Sequence, residues 1–309
     1  MPTVLALRQR SGFEQAIVPE GLICVEGHAG LSLLARRALV LLWHHACRQG
    51  LAFGKRHLIE LSALCADTHK DTSDALRAVG EIAGATLGHR TIQGRLEPVR
   101  LLGWTDLKDL ARAGGTLRYE IDESFLRRIE SRTPYGVVDL TALRALSSKY
   151  AVPLFLRGCF MTTARRQVPP LSLAELRALV GVPEGAYPAF AELNRTVLQR
   201  ALQEINAVTP LCMGLQPFRV GRRVETFELL CSPEGDGLAQ TAGREARLPK
   251  VGRHARRPQG RGVNFALSST AKDERAERLA QRRAAMEDEA ARRTWWAGEG
   301  HGRSDEGIG

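Results

Sequence analysis

Two neighbouring stretches decide the fold: Ser172-Leu-Ala-Glu-Leu-Arg-Ala-Leu-Val-Gly-Val182 and Leu193-Asn-Arg-Thr-Val-Leu-Gln-Arg-Ala-Leu-Gln-Glu-Ile-Asn206. Ser172 and Glu175 have the spacing of a capping box, in which each side chain satisfies the other residue's free amide. Leu173, Leu176, Leu179 and Val180 give the helix that follows a buried face. Gly181 is placed to end it in the left-handed conformation. Val182 to Tyr187 reads as a turn, and Pro188 suits the first position of the next helix, where its missing N–H costs nothing. That helix is predicted over 188–206. Leu193, Val197, Leu198, Ala201, Leu202 and Ile205 form its apolar stripe at helical spacing. Glu192, Arg195, Thr196, Gln199 and Gln203 lie opposite, with Asn194 and Arg200 nearer the margins. Residues 211–218 and 224–231 then read as strands joined by the turn Arg219-Val-Gly-Arg-Arg223. Two helices, a turn and a basic hairpin make a helix-turn-helix with a wing.

The same order occurs upstream. Residues 31–48 read as a helix, with Leu34, Ala38, Leu41 and Leu42 on one stripe. Helices are predicted over 57–66 and 71–83. A hairpin follows over 85–92 and 97–104, with Gly94 in its turn. Residues 116–121 read as a strand, and Asp122 is expected to cap the next helix. Between the two modules, Ser131 to Gly136 has the Pro/Gly chemistry of a linker. Residues 139–163 read as one long helix carrying Leu140, Leu143, Leu146, Tyr150, Leu154 and Phe155. Pro153 should kink it or divide it in two. The expected fold class is therefore α+β, mostly helical, with two tandem winged-helix domains and a basic C-terminal tail. The divisions are an N-terminal arm at 1–24, a first domain at 25–131, a second at 132–232 and the tail at 233–309. In the tail, Arg244, Arg247, Lys250, Arg253, Arg256, Arg257 and Arg261 are opposed nearby only by Glu245. That composition predicts disorder, although 271–296 could form a helix.

Composition narrows the function. No run approaches the roughly 18 apolar residues of a membrane span, so no membrane partner is expected. The six cysteines are scattered without C-x-x-C spacing, which predicts free thiols in a reducing cytoplasm. The net charge of +10 favours a polyanionic partner, most commonly nucleic acid.

Local chemistry points the same way. A helix fits the major groove, where Arg pairs with guanine and Asn or Gln with adenine. Asn194, Arg195, Thr196, Gln199 and Arg200 are candidates for that contact. Arg219, Arg222 and Arg223 around Gly221 are candidates for gripping phosphates. Each feature alone is also what a solvated helix or an ordinary basic turn would show. Other motifs fail. Gly50-Leu-Ala-Phe-Gly54-Lys55-Arg56 has too few residues between its glycines for a phosphate loop, and Arg56 stands where Ser or Thr would hold Mg²⁺. His44 and Cys47 are three apart, but no second ligand pair accompanies them. No His-x-His exists to bind the metal of a nicking enzyme. Tyr119, Tyr135, Tyr150 and Tyr187 therefore read as structural, with Tyr187 also near enough to the helix entrance to meet a phosphate. No catalytic residue, metal or cofactor is expected.

The succession Leu117-Arg-Tyr-Glu-Ile-Asp122, Val138-Asp-Leu-Thr141 and Ser148-Lys-Tyr-Ala-Val-Pro-Leu-Phe155, continued by the two stretches quoted first and by Gly221-Arg-Arg-Val224, resembles the plasmid replication initiators of the two-winged-helix, iteron-binding type. The resemblance covers about residues 25 to 232 and is carried by order and spacing rather than by one motif. It implies a bacterial cytoplasmic protein that binds direct repeats (iterons) at a plasmid origin and opens the adjacent duplex. It also implies recruitment of the host initiator and the replicative helicase, and repression of the protein's own promoter as a homodimer. The first domain would serve dimerisation and backbone contact while the second reads the repeat. Carried over by position, Asn194, Arg195 and Gln199 would touch bases or backbone, and Arg222 and Arg223 would form the wing contact. Asn194 and Thr196 depart from the Lys or Arg often found there. A winged-helix transcriptional repressor without a replication role is the main alternative. A nicking or helicase-type enzyme is the second.

Overall fold

The computed structural model describes residues 15–65, 72–90, 96–107, 115–130, 134–164, 169–220 and 223–233, with the main chain alone at 89, 90, 96, 130, 220 and 223. The expectations for Gly94, for most of the arm and for the tail after 233 lie outside these residues. The chain enters through β1 (Gln15–Pro19), α1 (Glu20–Ile23) and β2 (Val25–Glu26). It then forms α2 (Leu33–Gln49), the expected long helix. Ser32 starts α2 by accepting from the Ala35 amide at 3.2 Å. Every residue from Ala35 to His44 is buried, so the helix is enclosed on all sides rather than along one stripe. Trp43 shows why: its indole N–H donates to the Ile17 carbonyl at 2.8 Å and its ring meets Phe125 edge-on.

Two expectations in the first module are corrected. In place of the helix expected over 57–66, the described residues up to Cys65 form β3 (Arg56–Glu60) followed by a 3₁₀ turn, Leu61–Leu64. Burial alternates strictly along β3, with His57 and Ile59 inside. Leu58, Leu61 and Leu64 at three-residue spacing imitate a helical stripe, but pairing with a distant strand wins. The helix at 71–83 is confirmed as α3 (Thr72–Gly84). The second arm of the expected hairpin breaks at a corner. β4 (Leu87–Arg90) pairs with β5 (Leu96–Val99), whereas β6 (Leu102–Thr105) pairs with β7 (Thr116–Ile121) in the order β3-β7-β6. Leu101 and Leu102 are both buried, which breaks the two-residue alternation and marks the corner. Asp122 caps α4 (Glu123–Glu130) as expected, accepting from the Ser124 and Phe125 amides.

The presumed linker contains a further strand, β8 (Tyr135–Asp139), which pairs antiparallel with β1. Asp139 then caps α5 (Leu140–Ala145). The long helix expected over 139–163 is divided: α5 ends at Ala145 and α6 (Ala151–Ala164) begins six residues later. Pro153 sits in the first turn of α6, where no donor is needed. Continuing the helix backwards would drive its ring against the Lys149 carbonyl, four residues upstream. β9 (Leu171–Ser172), which the sequence did not suggest, joins β10 (Leu211–Val220) and β11 (Arg223–Pro233) in the order β10-β11-β9. Both modules share one continuous apolar core, from Val18 and Trp43 to Ile205 and Phe227. No described helix is long and apolar enough to cross a membrane.

Candidate nucleic-acid interface

The helix α7 (Leu173–Val180) begins and ends as its sequence predicts. Ser172 Oγ accepts from the Glu175 amide at 3.2 Å, and Glu175 accepts from the Ser172 amide at 2.8 Å. Gly181 adopts φ 67° and ψ 50°, and its amide and that of Val182 return to the Ala178 and Arg177 carbonyls. The turn is held by a residue that sequence reasoning passed over. Arg177 donates to the Ala186 carbonyl at 2.8 Å and to the Tyr187 carbonyl. The guanidinium thus closes a loop in which Tyr187 takes a positive φ of 52°.

The candidate recognition helix starts at Phe190 rather than at Pro188, which stays outside it. Rings of Phe190 and Phe227 lie 4.6 Å apart and pin this start against the wing sheet. The helix then has three parts: α8 (Phe190–Leu193), a π-helical stretch (Asn194–Leu198) and α9 (Gln199–Val208). All six stripe residues from Leu193 to Ile205 are buried. Arg195, Gln199, Arg200, Gln203 and Glu192 are exposed, and Asn194 and Thr196 are half-buried. In the π stretch the Gln199 amide returns to the Asn194 carbonyl, five residues back. The Gln199 side chain also donates to Asn194 Oδ1 at 3.2 Å. An ordinary helix separates residues five apart by about 140° around its axis. The π stretch instead brings these two amides together among the candidate contact residues, as such bulges often occur at functional sites. The same spacing relates Arg195 to Arg200. Nothing in the apolar pattern signals this.

The wing strands are longer than expected. β10 and β11 run through Arg219, Val220 and Arg223, so only positions 221 and 222 separate them. The register shifts between Phe218 and Arg219, leaving Glu225 as the extra residue of a bulge. Arg219 is exposed near the end of β10. Arg222 and the Arg223 side chain lie outside the described residues. Asn206 joins helix to wing: its amide donates to the Met213 carbonyl at 2.9 Å and accepts from the Met213 amide at 2.7 Å. This pair of bonds occupies the outer edge of β10 and fixes the wing against the end of α9.

The other motifs find structural settings. The Gly50–Arg56 stretch is the connection from α2 to β3, and the Lys55 ammonium donates to the Gln49 carbonyl. Among the described residues no group of three or more His, Cys, Asp or Glu could hold a metal ion. Tyr119 is buried and donates to the Leu42 carbonyl at 2.8 Å. None of the six cysteines is in a disulfide, and burial pushes the Cys24 thiol up to about 11 and the Cys231 thiol up to about 12.

Residues 172–230 match the family model described as initiator Rep protein, WH2. The chain also shares the fold of the Pi initiator protein, solved in complex with iteron DNA. The TM-score is 0.54 at 19% identity, covering 72% of this chain and 98% of that one. Domains 2 and 3 of RctB align at a TM-score of 0.33 and 10% identity, over 74% of this chain and 98% of that one. No curated protein matches the chain. The resemblance to two-winged-helix initiators is thus met by the family model in the second module and by the fold across both.

Proposed function

We propose that the chain is a plasmid replication initiator that acts by binding energy rather than by catalysis. The observation that carries this reading is the helix Phe190–Val208, set behind a capped helix and an arginine-held turn with Arg195, Gln199 and Arg200 facing outward. The family model over 172–230 and the fold shared with an iteron-bound initiator support it. In this reading the second domain, 132–232, reads direct repeats at the origin, while the first, 25–131, serves assembly as a homodimer and backbone contact. Asn194, Arg195, Thr196, Gln199 and Arg200 face the major groove. Arg219, Arg222 and Arg223 hold phosphates along the wing. Opening of the adjacent duplex, recruitment of the host initiator and helicase, and repression of its own promoter follow in the bacterial cytoplasm. The basic tail adds sequence-independent affinity.

The two kinds of contact are separable. Arg195→Ala should weaken binding to the cognate repeat by about 1–3 kcal/mol and relax the preference at one base pair. Arg219→Ala should weaken cognate and random duplexes alike and reduce the salt slope by about one unit. Equal losses on both duplexes for Arg195→Ala would remove it as a base reader. The replication role is tested by placing the gene and its flanking DNA on a replicon without an origin. Stable maintenance is expected. Failure to replicate with promoter repression intact would make the protein a repressor.

A further inference from the structure

We propose that the break at 146–150, between α5 and α6, is the joint through which the first module sets the position of the reading helix. Arg36, Arg37 and Glu204 are its positioning residues. The consequence for DNA reading rests on the function proposed above; the joint itself does not.

The break offers main-chain groups of both kinds. Pro153 has no N–H, so the Lys149 carbonyl has no helical donor four residues on. The Arg144 and Leu146 carbonyls lie at the C-terminal end of α5, where helical donors run out. Two arginines of α2 take all three. Arg36 donates to the Lys149 carbonyl at 2.7 Å, and Arg37 donates to the Arg144 carbonyl at 2.7 Å and to the Leu146 carbonyl. The amides of the same break face the opposite charge. Glu204, on the buried side of α9, accepts from the Ser147 amide, the Ser147 hydroxyl at 2.8 Å and the Ser148 amide at 3.1 Å. Five residues of broken helix therefore connect a cationic pair on the first module with an anion on the reading helix.

Arg36 also makes a second connection. It donates to the Val180 carbonyl at 2.8 Å and the Gly181 carbonyl at 3.3 Å, at the C-terminus of α7. Its own module supplies the His28 and Leu31 carbonyls at 2.6 and 3.3 Å. One guanidinium on α2 thus bridges the turn after α7, the break and the segment from His28 to Leu31. Arg36, Arg37 and Glu204 are 1%, 2% and 2% exposed, so each charge is held by protein groups rather than by water. Charge-assisted bonds with fixed directions hold position more sharply than apolar packing, which tolerates sliding.

The test uses the full chain and the conservative variants Arg36→Lys and Glu204→Gln. Lysine keeps the charge but loses the planar fork. Glutamine keeps the shape but replaces one accepting oxygen by an NH₂ group, which must face a main-chain donor at Ser147 or Ser148. Amide hydrogen exchange is measured on the free protein. In parallel, the preference for a duplex selected from a random pool by the wild-type chain is measured against random duplex. Both variants are expected to unfold cooperatively. Protection at 146–150 and 190–208 should fall at least tenfold while the sheet β3-β7-β6 keeps its protection. The cognate preference should fall with the salt slope unchanged. Unchanged protection of the reading helix would overturn the joint, and so would a uniform loss across both modules, which marks a merely structural role. If either variant fails to fold, Ser147→Ala, which removes one of the three donors to Glu204, is measured against the same outcomes. A wild-type chain that selects no sequence would defeat the proposed function, while the exchange result would still decide the joint.

Discussion

Replacing Gly181 by alanine is expected to destabilise the protein by about 2–4 kcal/mol, seen as a lower urea midpoint at an unchanged slope. Part of the cost is conformational. A residue with a side chain at φ 67° gives up roughly 1–2 kcal/mol. The rest is space. A Cβ at this position would lie 2.6 Å from Arg36 Nη2, 2.7 Å from His28 Cβ and 2.9 Å from the His28 carbonyl carbon. Arg36 cannot yield cheaply, because it is tied to five carbonyls. His28 belongs to the 3₁₀ turn His28–Gly30 and is itself buried. Gly185→Ala is the natural comparison, since Gly185 has φ 79° but open space around its missing Cβ. It should lose only the conformational part, roughly 1–2 kcal/mol. Equal losses at the two positions would show that the close approach at Gly181 does not constrain the fold.

The second large effect is acid sensitivity. His28, His44 and His57 are all buried. Burial, the largest cause in each case, pulls His28 down to about 3 and His44 and His57 down to about 4. Arg36 beside His28, Arg48 beside His44 and Lys55 beside His57 add to the shift. As pH falls below about 6.5 the unfolded chain takes up protons that the folded protein refuses, so acid favours unfolding. The stability held by these groups is complete above that pH and is lost as pH falls toward 4. Each contributes about 1.4 kcal/mol per pH unit in that window. At pH 5 the three together cost on the order of 6 kcal/mol, comparable with the whole stability of many domains. Urea midpoints should therefore be flat from pH 7 to 8 and fall steeply below pH 6. A midpoint unchanged between pH 7 and 5 would contradict the burial of the three rings.

What the sequence displayed was local. The Ser172 capping box, the Gly181 stop and the stripe from Leu193 to Ile205 depend on residues within a turn or two of each other, and each is found where it was expected. What it hid was distant. The alternation of His57 and Ile59 acquires meaning only opposite Tyr119 and Leu117, some sixty residues later. Pro153 announced a division, but where α5 ends is settled by carbonyls that Arg36 and Arg37 reach from more than a hundred positions away. Arg36 and Arg37 split the apolar run from Leu31 to Trp43 in the sequence, yet they are among the most buried side chains. The candidate contact residues were legible as types on an exposed face. Their mutual geometry was not, because the π stretch that joins Asn194 to Gln199 departs from the 3.6-residue period on which the reading relied.

The most direct measurement is a footprint of the purified protein on the DNA flanking its own gene, with Arg195→Ala alongside. The expected result is protection of a row of direct repeats, each about two helical turns long, with recognition lost at one position of every repeat in the variant. Protection without sequence preference, or the same footprint for both proteins, would contradict it.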